Sequence, residues 1–273
     1  METLESLPAP SLLAFIHRYT FMSVVGNMPT EKCIPSGFIR MYILDTDSDL
    51  EVLTFDGKRE ILKDAIEGHP NEQLHSTQVK QKSNLIMCSF YASSFYQTFN
   101  IPIHQLNNQL IMPENIFGNA YKDLKEQLQN TPAQFKKVEV LNAFFKRYFI
   151  NVNSLRTNPI SHLQHLILYN KGNININTVF EAYSKSRRSM ERNFLEEIGV
   201  GPKYFCRILR FNHAYALKRN YPDKSWNEIL YLCGYYDQSH FIRDFKGFMG
   251  IPPDSYFNQR GSNLDVFTGK SGI

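Results

Sequence analysis

Three arginines, Arg188, Arg192 and Arg243, carry the most specific chemistry this sequence offers. A guanidinium is a planar fork of donors that can bond two acceptors of a guanine edge, worth roughly 1–3 kcal/mol of discrimination. Arg188 and Arg192 are four residues apart and so share one face of a helix. Arg243 stands 51 residues beyond Arg192 in a stretch of the same pattern. Glu191, Ser239 and His240 lie beside them and are also candidates for base edges. Glutamate there can accept from a cytosine amino group or orient a neighbouring arginine, and Ser239 and His240 suit base or phosphate equally. Lys185, Arg187, Gln238 and Lys246 are better suited to phosphates, which position a protein without specifying sequence. One arginine on a helix is most simply a solvated residue. Two sets at matching positions favour DNA contact.

Other chemistry has little to rest on. His69 with His75, His162 with His165, and His104 alone show no established metal-ligand spacing, so they read as structural or surface histidines. Cys33, Cys88, Cys206 and Cys233 are far apart and form no C-x-x-C pair, and they read as reduced thiols. A methyl-acceptor or redox role for Cys33 or Cys88 has no motif behind it. Nucleophile elbows, glycine-rich phosphate loops and paired carboxylates are absent from the sequence. We therefore expect no catalytic residues, no metal, no cofactor and no enzymatic activity.

The elements that must hold the arginines show an internal repeat. At an offset of 51 residues Met190 maps to Phe241, Arg192 to Arg243, Phe194 to Phe245, Gly199 to Gly250, Pro202 to Pro253 and, upstream, Val179 to Leu230. In the second copy Ser225-x-x-Glu228 is a capping box that starts a helix over 226–232. Gly234 supplies a sharp turn, and Asp237 caps the next helix. That helix places Phe241, Phe245 and Phe248 on one buried stripe, with Ser239, His240, Arg243, Asp244 and Lys246 on the opposite face. In the first copy Ser186 is the cap, and Met190, Phe194 and Ile198 form the stripe. Short helix, tight turn and second helix with a basic outer face is helix-turn-helix geometry. Between the copies, 203–219 reads as one connecting helix, roughly 25 Å long at 1.5 Å per residue. Such a spacer can set two recognition helices near one B-DNA turn apart, about 34 Å. Trp226 reads as packing the second unit together.

These residues resemble a known family. Gly234-Tyr235-Tyr236-Asp237-Gln238-Ser239-His240-Phe241-Ile242-Arg243-Asp244-Phe245-Lys246 followed by Gly250-Ile251-Pro252-Pro253-Asp254-Ser255-Tyr256 is similar to the C-terminal signature of the AraC/XylS bacterial transcription regulators. Ser186 to Phe194, with Gly199 and Pro202-Lys203, resembles the first recognition helix of that family. The resemblance covers about 160–258 and implies a bihelical all-α DNA-binding domain whose third and sixth helices enter the major groove. Three residues depart from the pattern: Leu230 replaces a small alanine, Ser184 a frequent glycine, and Tyr235 a phenylalanine. Residues 34–43 and 99–106 are similar to a β-rich domain that precedes some AraC-type domains, which implies a sensory or dimerising role.

The remaining sequence frames this reading. Hydrophobic residues make up 42% and charged residues 21%, enough for a sizeable core. The net charge of +4 resides in the C-terminal part, which suits a polyanionic partner there. Runs 37–44, 50–55 and 84–91 read as strands separated by turn chemistry, and 121–128 and 138–149 as helices. Val138, Leu141, Phe144, Phe145 and Phe149 fit an internal core or a dimer face equally. We expect an α+β protein: a β-rich, barrel-like N-terminal domain (1–112), a helical connecting or dimerisation segment (113–158), an all-α domain of two helix-turn-helix units joined by a long helix (159–258) and a flexible tail (259–273). The expected partners are double-stranded promoter DNA, a small-molecule effector in the N-terminal domain, RNA polymerase and a second copy of the chain. With neither signal segment nor membrane span, the sequence reads as cytoplasmic. The alternative reading is a small-molecule-binding or enzymatic protein with a helical appendage.

Overall fold

The computed structural model describes residues 2–24, 31–32, 35–45, 50–53, 58–69, 76–77, 83–149, 158–181 and 186–258. Among these residues ten strands precede or interrupt the helices: β1 (Glu2–Ser6), β2 (Ile16–Val24), β3 (Glu31–Lys32), β4 (Ile39–Leu44), β5 (Leu50–Leu53), β6 (Arg59–Leu62), β7 (Ala65–Glu67), β8 (Ser76–Thr77), β9 (Ser83–Phe90) and β10 (Leu110–Ile111). Six form an antiparallel sheet in the order β1-β2-β9-β4-β7-β10, while β5 pairs with β6 and β3 with β8. The expected strands thus appear as β4, β5 and β9. Cys33, His75, Ser184, Lys185 and the tail from 259 lie outside the described residues.

Period-two alternation gives the main sheet two different faces. Phe21, Ile39, Met41, Ile43, Ile86, Cys88 and Phe90 enter the large hydrophobic core. Met22, Tyr42 and Met87 form a separate small cluster on the other face. Arg40 and Glu67 share that second face, buried and paired at 3.1 Å, and the Tyr42 hydroxyl donates to the same carboxylate oxygen at 3.1 Å. Helix α1 (Ala92–Phe99) follows β9 after one residue and ends at Asn100 in the left-handed region.

Helices α2 (Glu114–Phe117), α3 (Asn119–Gln129) and α4 (Gln134–Phe145) cover the apolar face. Leu141, Phe144, Phe145 and Phe149 are buried. The rings of Phe144, Phe145 and Phe149 meet Phe15, Phe90 and Phe117 in tilted or edge-on contacts at centroid distances of 4.9–6.2 Å. This stripe is therefore internal core, which decides between the two readings the sequence left open. Burying each such ring contributes roughly 2–3 kcal/mol.

Among the described residues seven helices follow: α5 (Pro159–Tyr169), α6 (Ile176–Glu181), α7 (Arg187–Ile198), α8 (Pro202–Asn220), α9 (Trp226–Leu232), α10 (Gln238–Met249) and α11 (Pro253–Asn258). Asn158 caps α5 by accepting from the amides of Ile160 and Ser161. The architecture is α+β, and one continuous core joins the sheet to the C-terminal helices. Among the described residues no helix is long and apolar enough to cross a membrane.

Candidate nucleic-acid interface

Helices α7 and α10 are related by the offset of 51 at both ends. Each begins with a side-chain cap. Ser186 accepts from the Ser189 amide at 3.3 Å, and Asp237 accepts from the His240 amide at 2.7 Å. Each ends on a glycine in the left-handed region, Gly199 at φ 91° and Gly250 at φ 77°. A side chain at either position would be strained, which is why glycine closes both helices. Pro202 and Pro253 then start the next helix, where the missing amide hydrogen costs nothing. Met190, Phe194 and Ile198 are buried, as are Phe241, Phe245 and Phe248.

The helix before each recognition helix departs from that offset. In α6 the inward residues are Ile176, Val179 and Phe180; in α9 they are Trp226, Ile229 and Leu230. These sets are 50 residues apart, so Val179 corresponds to Ile229, and Leu230 to Phe180. Met190 stands ten residues beyond Phe180 whereas Phe241 stands eleven beyond Leu230, because α9 runs seven residues and α6 six; Gly234 follows α9 at φ 69°. A Cβ there would collide with the Asn173 side chain. In the second unit Ser225 and Glu228 form the capping box, and hydrogen bonds from Ser225 hold the Glu228 carboxyl below its ordinary range. Trp226 packs on Phe241 at 4.7 Å and donates to Asp254. It is a packing residue, as expected.

The outward faces carry the candidate DNA contacts. On α7, Arg187, Arg188 and Arg192 are exposed, while Glu191 is half-buried. Glu191 accepts from Arg187 Nε at 3.0 Å, so in the free protein it orients the arginine assigned to phosphate. On α10, Gln238, Ser239, Arg243 and Lys246 are exposed. His240 is half-buried, its ring 5.5 Å from that of Tyr235 and its Nε2 3.7 Å from Asp244.

Asp244 is not on the exposed face. Its side chain is 1% exposed and accepts from Arg207 Nε and Nη2 at 3.0 and 2.8 Å. Arg207 belongs to α8, the connecting helix, so this pair ties the second recognition helix to the spacer. The spacing contained the signal: Asp244 is three residues beyond Phe241 and therefore flanks the buried stripe. Charge alone had put it outside. The sequence reading also passed over Tyr236 and Tyr231, 95% and 84% exposed beside the second turn.

The connecting helix runs 19 residues, about 28 Å, slightly longer than expected. Two capped helices with basic outer faces, held by one spacer and closed by equivalent glycines, form a pair of helix-turn-helix units. Residues 180–259 match a family described as a helix-turn-helix domain. The C-terminal part of this chain is an AraC-type helix-turn-helix domain. Among curated proteins, no sequence matches the chain. Among solved structures, ToxT from Vibrio cholerae is similar at 14% identity, covering 89% of this chain and 98% of its own, with a TM-score of 0.47. ToxT from Vibrio cholerae O395 gives 14%, 94% and 99%, with a TM-score of 0.47. Unsaturated-fatty-acid-bound ToxT from Vibrio cholerae strain SCE256 gives 13%, 91% and 96%, with a TM-score of 0.46. The AraC-type domain of this chain presents Arg192 and Arg243 at equivalent, exposed positions on its two recognition helices.

Proposed function

We propose that this protein is a sequence-specific transcription regulator whose two recognition helices enter adjacent major-groove segments of promoter DNA. The observation that carries the reading is the duplication itself: cap, buried stripe, exposed arginine and left-handed glycine recur at one offset in α7 and α10. Arg188, Arg192 and Arg243 read guanine edges, with Glu191, Ser239 and His240 beside them. Arg187, Lys185, Gln238 and Lys246 hold phosphates. The sheet-bearing part controls this engagement through a small-molecule effector or a protein partner. Its second face supports that role, because it buries Arg40, Tyr42 and Glu67 rather than a purely apolar layer. Promoter-bound protein acts on RNA polymerase, as a monomer or a homodimer, in the cytoplasm and without a catalytic step.

A titration of promoter fragments at several salt concentrations tests the reading. Tight binding with a steep loss of affinity as salt rises supports it, since each phosphate contact releases a counterion. Weak binding that is the same for every sequence at physiological salt would contradict it.

A further inference from the structure

The two helix-turn-helix units are held differently. Among the described residues, α10 packs within the C-terminal domain, against Arg207 and Tyr204 on α8, Phe211, Trp226, Tyr235, Tyr256 and Phe257. Gly250, which ends α10, is exposed. The equivalent Gly199 at the end of α7 is buried against the N-terminal part of the chain. The Asn107 amide bridges the contact. Its Nδ2 donates to the Gly199 carbonyl at 2.6 Å, and its Oδ1 accepts from the His69 backbone amide at 2.9 Å.

The fit around this bridge is close on both sides. A Cβ on Gly199 would meet Ile103 Cγ2 at 2.7 Å, and one on Gly68 would meet Asn107 Oδ1 at 2.7 Å. Ile103 and Leu106 are fully buried. The Tyr96 hydroxyl on α1 adds a bond to Glu196 at 3.1 Å. Residues 103–107 therefore lock the last turn of the first recognition helix to the end of β7. Because a helix is rigid along its length, fixing its C-terminal turn fixes where Arg188 and Arg192 point.

We propose that Asn107, far outside the DNA-binding domain in sequence, is a positioning residue for the first recognition helix only. Through it the sheet-bearing part sets engagement of the DNA segment read by α7, while the segment read by α10 is engaged independently. This rests on the DNA-binding reading above. A change in the sheet or in 103–107 then reaches DNA through one half of the bound site.

The test uses the full chain and three duplexes: the native site, the site with the α7 segment scrambled, and the site with the α10 segment scrambled. Arg192→Ala and Arg243→Ala assign the segments. Asn107→Asp keeps the acceptor for His69 and removes the donor to Gly199. On the native duplex its affinity should fall about fivefold, the scale of one buried hydrogen bond. The same loss should appear on the duplex that keeps only the α7 segment, and none on the duplex that keeps only the α10 segment. Unchanged binding on that last duplex also shows that the second unit is folded. Asn107→Ser, smaller and still able to accept from His69, replaces the aspartate variant if that one does not fold. Equal loss on both half-altered duplexes, or no loss on either, overturns the proposal. Wild-type protein that does not distinguish native from scrambled duplexes removes the DNA-binding reading itself.

Discussion

Arg243 is the one arginine of α10, so its removal should be read at one place. Arg243→Ala is expected to lose about 1–3 kcal/mol of DNA affinity, concentrated at a single base position. A panel of single-base-substituted duplexes measures this, and unchanged preference at every position would refute the assignment. Arg207→Ala acts differently, because it leaves Asp244 buried without its cation. That should destabilise the fold by about 3 kcal/mol in urea titrations, with DNA affinity falling as α10 loosens. A variant as stable as wild type would show that the pair does not anchor the helix. These two residues also mark what the sequence made legible. The exposed positions of Arg188, Arg192 and Arg243 followed from apolar spacing alone, since the stripe fixes which side faces water. Asp244 escaped because a carboxylate was read as a surface group. Only the partner on α8, 37 residues away, reveals why a charge is tolerated there.

Elements were legible wherever their ends carry a chemical signal. Caps at Ser186, Ser225 and Asp237 and glycines at 199 and 250 bounded helices to within a residue, because orphan backbone groups demand those residue types. The extra residue of α9 was not visible, since α6 shows no capping box in the sequence to fix its register against α9. In the N-terminal part, β4, β5 and β9 followed from β-branched and aromatic runs, whereas β1 and β2 were not read from the sequence. Pairing order did not follow, because it depends on contacts between residues far apart in sequence. The capping box offers a test at this scale. Ser225→Ala should cost about 1 kcal/mol of stability and leave the base preference of α7 unchanged. A loss of preference confined to the α7 segment would mean that the two units are more tightly coupled than their packing indicates.

The whole molecule is one core in which the first unit meets the N-terminal part directly, at Gly199 and Asn107, and the second is joined to it through α8, whose Asn212 donates to the Pro35 carbonyl. Its buried histidines give the stability of the fold a pH dependence. His69 lies fully buried beside Phe205. Burial, then the nearby Arg40 charge, lowers its pKa to about 4, against partial opposition from the Ile198 carbonyl. Burial and Lys171 lower His213 to about 4, and burial, Arg18 and His165 lower His17 to about 3. The folded protein keeps these rings neutral while the unfolded chain takes up protons below about 6.5. Their contribution to stability is therefore complete above that pH and is lost as pH falls toward 4. His69 alone should account for about 2 kcal/mol between pH 7.5 and pH 5. Urea midpoints at the two pH values check this, and equal midpoints would show that the rings are not held neutral.

At the same scale lies the claim that one chain reads two major-groove segments on one face of the duplex. The α8 spacer makes that claim depend on helical phase. Inserting about five base pairs, half a turn, between the two segments moves the second to the far side of the duplex. Affinity measured by titration should then fall about 100-fold and stay low when about ten are inserted, because the 19-residue spacer cannot reach a further turn along the duplex. Affinity that is unchanged by the half-turn insertion would contradict the account.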